Sequence, residues 1–138
     1  MQEQPGVDLV QEVAEQIHSK VHALFNYKDD KSSYDVVEDW RSHVEAVEKG
    51  ERFTDDCDGF AITCSELLAK AGVPLDKISL ILCRTETGGM HLVCGLDTDD
   101  ATLILDNRQR SVWDYGQLDY TWIKRVTADD PQHWKEIV

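Results

Sequence analysis

No stretch of the chain approaches the eighteen or so apolar residues that a membrane-spanning helix needs. The start, Met1-Gln2-Glu3-Gln4-Pro5-Gly6, lacks both the basic and the apolar segment of a secretory signal. As written, the chain is expected to stay where it is made unless export information was removed. Basic residues are scarce: Lys and Arg number 14 against 27 Asp and Glu, a net charge of -13. This balance argues against nucleic acid and anionic membrane surfaces as partners and leaves cationic partners or divalent metal open. An acidic domain that merely stays soluble has the same balance. The cysteines are Cys57, Cys64, Cys83 and Cys94, and no pair has CxxC spacing. A structural zinc site and a four-cysteine disulfide framework are therefore not expected, and Cys64, Cys83 and Cys94 read as small buried hydrophobes. At 138 residues the chain suits one domain, 1–138, with a core that stands without staples.

What is present gathers around Cys57. From Phe60 onward, Phe60, Ala61, Cys64, Leu67, Leu68 and Ala71 recur at spacings of three and four, the stripe of an amphipathic helix that Gly72 and Pro74 end. Asp55 and Asp56 stand where acceptors for the unpaired N–H groups of the first turn belong, which puts Cys57 at the helix N-terminus. There the helix dipole favours the nucleophilic thiolate and the same N–H groups suit a developing oxyanion. Asp55, Asp56 and Asp58 act the other way, so a base able to carry positive charge, or a neutralising cation, is needed.

Upstream, Val7 to about Tyr27 carries a helical apolar stripe. His18 and His22 lie four apart on it; outside an HExxH context they read as solvated helix histidines rather than metal ligands. Tyr34 to Lys49 gives a second helix with Trp40 in its core face. Downstream the period becomes strand-like. Ile78–Arg84 and Met90–Leu96 form a hairpin around Gly88-Gly89, Ala101–Leu105 a third strand and Tyr120–Val126 a fourth. Near-continuous apolar runs imply a sheet buried on both faces or covered by the helices. Trp134 in the tail is expected to tuck back.

Two polar residues interrupt these runs: His91 at the start of the second strand and Asp106 at the end of the third. In an antiparallel meander the start of one strand lies beside the end of the next, so the two are expected to be neighbours. With Cys57 they supply nucleophile, base and orienting carboxylate, although a lone histidine at a strand start is more commonly structural.

The segments DDCDGFAITCSELLAKAGVP, MHLVCGL and LILDNRQRSVWDY, with Trp40 upstream, resemble the bacterial transglutaminase-like cysteine proteinases, whose pattern is GDCED at a helix start, a histidine in an HxVL-like strand and then vLDN. The resemblance implies an α+β, papain-like or transglutaminase-like fold, with N-terminal helices and the nucleophile helix packed on an antiparallel β-sheet. It implies a cysteine peptidase with the triad Cys57, His91 and Asp106, Trp40 in the site wall or assisting the oxyanion, and a protein or peptide substrate. No cofactor is needed for the chemistry. Calcium dependence in some relatives makes Asp55, Asp56 and Asp58 the candidate ligands, in a set that differs from GDCED: Asp55 replaces the glycine, Asp58 the glutamate and Gly59 the second aspartate. An acidic N-cap cluster without metal is the alternative. Without a signal, the expected setting is cytoplasmic or phage-associated, and periplasmic only if a signal was removed. The competing functional reading is a catalytically weak binding or assembly module, for example of a bacteriophage.

Overall fold

The computed structural model describes residues 5–27 and 42–137. Helix α1, Pro5–Leu24, runs directly into a short strand β1, Phe25–Tyr27. A short helix α2, Val44–Glu48, precedes strand β2, Phe53–Asp55, and the long helix α3, Cys57–Lys70. The sheet strands follow: β3 Ile78–Arg84, β4 Met90–Asp97, β5 Thr102–Leu105, β6 Trp113–Asp114, β7 Thr121–Thr127 and β8 Lys135–Glu136. Among the described residues no helix is long and apolar enough to cross a membrane.

The six-stranded antiparallel sheet has the order β6-β5-β4-β3-β7-β8. Side chains alternate across it. Leu92, Cys94 and Leu96 of β4 join Phe60, Cys64 and Leu68 of α3 in the main core, while Val93 turns to the opposite face with Ile81, Cys83 and Ile104. Among the described residues, helices thus cover one face only. The other is closed by Leu118, Tyr120 and Trp122, which is why its apolar runs are as continuous as those of a doubly covered sheet. Cys64, Cys83 and Cys94 are buried and unbridged, as their apolar surroundings implied.

Four short strands, β1, β2, β6 and β8, left too little apolar alternation to be seen in the sequence. Among them, β1 pairs in parallel with β2, matching Phe25 to Phe53 and Tyr27 to Asp55. This pairing ties the end of α1 to the residues immediately before Cys57. Gly72, at φ 98, ends α3 in a conformation that side-chain-bearing residues avoid. Trp134 packs partly buried against the core, with Lys124 Nζ 5.3 Å from its ring centroid.

Candidate active site

Helix α3 begins at Cys57 because Asp56 caps it. The Asp56 carboxylate accepts from the N–H groups of Asp58 and Gly59 at 3.1 and 3.4 Å. The Cys57 side chain, 7% exposed, sits in the core beside the backbone N–H of Leu92, the residue that follows His91. Its Sγ donates to Asp58 Oδ1 at 3.6 Å. Burial first, then the Asp58 and Asp56 charges, push the thiol up, against the pull of the Leu92 N–H. Cys57 therefore rests as a protonated thiol.

His91 and Asp106 meet as their strand positions implied. His91 Nε2 lies 2.7 Å from Asp106 Oδ1, with the residues 6% and 1% exposed. Burial opposes a charge on Asp106. The hydrogen bonds and charge of His91, with those of Tyr120 and the Arg108 N–H, outweigh it and hold the carboxyl below its ordinary range. Asp106 is thus a carboxylate, so Nε2 carries the shared proton and Nδ1 is the open nitrogen. On the strand beside it, the Cys83 thiol donates to the His91 carbonyl at 3.4 Å, and burial pushes that thiol up to about 12.

The three acids around Cys57 do not converge. Asp55 Oδ2 pairs with His43 Nε2 at 2.7 Å and Oδ1 accepts from the Asp56 N–H, also at 2.7 Å; Asp56 caps α3; Asp58 faces the thiol. Among the described residues no group of three or more acids, histidines or cysteines is spaced to hold a metal ion. Asp55, Asp56 and Asp58 as arranged therefore do not fit calcium as a common cage. Trp40 and the first part of the expected second helix lie outside the described residues, so the wall assigned to Trp40 has no geometry here.

Several residues of the site were not visible in the pattern. His18 is not a solvated helix histidine: it is 1% exposed and its Nε2 donates to the Asp106 backbone carbonyl at 2.9 Å. Its spacing from Ala14 and Val21, both wholly buried, was the available signal. His43 stacks on Phe53, with ring centroids 4.5 Å apart, while its N–H donates to Thr63. Tyr120 donates to Asp106 Oδ2 at 2.6 Å, and only the three-dimensional path of the chain brings it there.

A family model for the bacterial transglutaminase-like cysteine proteinases matches residues 2–138. The chain belongs to that family. Solved structures agree on the fold of this family member. A LapG structure from Legionella pneumophila is 25% identical with a TM-score of 0.68, covering 86% of this chain and 66% of that one. An EGTA-treated LapG gives 21% identity and a TM-score of 0.71, covering 96% and 72%. A calcium-bound LapG gives 24% and 0.68, covering 88% and 70%. The chain thus spans just under two thirds of the first LapG chain. A search of curated proteins returned no match. The fold expected from the sequence, helices with the nucleophile helix packed on an antiparallel sheet, is the one observed.

Proposed function

We propose that the protein hydrolyses amide bonds of proteins or peptides with Cys57 as nucleophile, His91 as base and Asp106 as the group that orients the base. The observation that carries this reading is the buried 2.7 Å contact of His91 Nε2 with Asp106 Oδ1, on strands packed beside the helix that opens with Cys57. As Cys57 Sγ bonds to the substrate carbonyl carbon, its proton passes to His91 Nδ1 and the carbonyl π electrons move to oxygen. The backbone N–H of Cys57 and the Trp40 side chain are the assigned oxyanion contacts. Collapse of the adduct breaks the C–N bond while His91 returns the proton to the departing amine. Water, giving its proton to His91, then attacks the thioester carbonyl carbon; the C–S bond breaks to free the acid, and His91 returns the proton to the Cys57 sulfur.

Iodoacetamide labelling of Cys57 across pH, read by peptide mass spectrometry, tests the triad. Wild-type labelling should rise as His91 loses its proton and then level off. His91→Ala should be about tenfold slower there, rising only with the thiol's own high pKa. Superimposable curves would sink the triad and turn the reading to a binding or assembly module.

Calcium dependence is the second reading, supported by the calcium-bound and EGTA-treated forms of LapG and by the acids flanking Cys57. No step above runs through the ion, because the three acids face different partners. A calcium ion that binds only the folded chain raises Tm by mass action. Identical melting in calcium and in EGTA would remove this reading.

A further inference from the structure

Asp106 is held at each of its side-chain oxygens and at its carbonyl, and one of the strongest holds comes from outside the three proposed residues. Oδ1 accepts from His91 Nε2 and from the Arg108 N–H at 3.0 Å, and Oδ2 accepts the Tyr120 hydroxyl at 2.6 Å. That hydroxyl itself accepts from Arg108 Nη1 at 3.1 Å and from Gln109 Nε2 at 3.3 Å. Glu86 fixes Arg108 in turn by two hydrogen bonds of 2.7 and 3.0 Å, with the guanidinium carbon 5.5 Å from the Tyr120 ring centroid. With two donors pointing at its oxygen, the phenol has one direction in which to give its proton, toward Asp106. Burial first, and the Asp106 contact second, push Tyr120 up to about 12, so it remains a donor throughout the working range.

We propose that Tyr120 is a positioning residue for the peptidase reaction: its hydroxyl holds Asp106 Oδ2, which keeps Oδ1 aimed at His91 and limits how much of the carboxylate charge falls on the imidazole. The proposal rests on the triad reading. A buried carboxylate that loses one of its donors directs more of its charge at the remaining partner. His91 would then hold its proton at a pH where it has to accept one from Cys57. Besides Cys57, its proposed proton donor, the ionisable groups around His91 among the described residues are Asp106, Tyr120, Cys83, Asp58 and Glu86, and Tyr120→Phe leaves all but the phenol in place.

The test is an NMR titration of the His91 imidazole in the wild type, in Tyr120→Phe and in Trp122→Phe, whose ring packs 5.5 Å from Tyr120, alongside iodoacetamide labelling of Cys57. Tyr120→Phe should raise the His91 midpoint by about half a pH unit, so that labelling below the midpoint is about threefold slower, while Trp122→Phe leaves the midpoint in place. Arg108→Met removes one donor to the phenol and should move the midpoint the same way by less, which keeps the proposal testable if Tyr120→Phe loses its fold. An unchanged midpoint in Tyr120→Phe, or in Arg108→Met if that variant has to serve, with labelling still dependent on His91, overturns the role of Tyr120 and leaves the triad standing. Wild-type labelling that does not depend on His91 overturns both.

Discussion

His18 reaches across 88 residues to bond the Asp106 carbonyl, with His22 of the same helix stacked on its ring and Phe60 of α3 meeting it edge-on. Truncation to Ala would leave that carbonyl with the Gln109 N–H alone, at 3.1 Å, and open a cavity between α1 and α3, at a cost of about 2–4 kcal/mol in urea unfolding. The same residue makes stability depend on pH. Burial lowers the His18 pKa, ahead of the opposing bond to Asp106, so the folded state resists a proton that the unfolded chain accepts. Stability present above the unfolded value of about 6.5 is therefore lost as the pH falls from there toward the lower folded-state value. His18→Gln, which can keep a donor near the carbonyl but cannot titrate, should lose less stability than the wild type between about pH 7.5 and about pH 5.5. Equal losses would assign that pH dependence to other groups. His91 and Asp106 were legible because they break apolar runs. His18 was obscured because a histidine on an apolar stripe looks the same in sequence whether it faces water or a carbonyl.

Helix α3 and strand β2 meet at a carboxylate. A Cβ on Gly59 would collide with the side chain of Asp55, which His43 and the Asp56 N–H hold in place. The family pattern has glycine where this chain has Asp55 and aspartate where it has Gly59, so the two departures are reciprocal: one removes the side chain whose space the other fills. Alanine is otherwise the better helix former by about 1 kcal/mol. Gly59→Ala should nevertheless destabilise the fold by about 1–3 kcal/mol through overpacking, and adding Asp55→Gly should recover most of that loss. Thermal melts of the two single variants and the double variant decide the matter; additive losses would show that the two positions do not share the space. At this scale α3 and the long strands were legible within a residue or two, whereas the first helix, expected to run to about Tyr27, ends at Leu24 because Phe25–Tyr27 is drawn into strand β1 by its pairing with β2. The helix from Cys57 and the strands from Ile78 and Met90 carry enough apolar repeats to declare a period. Strands β1, β2, β6 and β8 span only two or three residues and take their pairing from neighbours.

Across the whole molecule the sheet order departs from a simple meander, because the chain leaves the β6 edge and returns on the far side of β3 as β7. No local period encodes that crossing, which is what delivers Tyr120 to Asp106. The net charge of -13 also acts at this scale: monovalent salt should raise Tm by screening self-repulsion, so calcium has to exceed sodium chloride at equal ionic strength before the melting comparison speaks for a bound ion. The partners of Asp106 lie far apart along the chain, His18 well before it and Tyr120 after it. Translation delivers them in that order, so a copy still emerging from the ribosome with β7 unmade has its thiol and its imidazole but lacks the phenol that completes the carboxylate's setting.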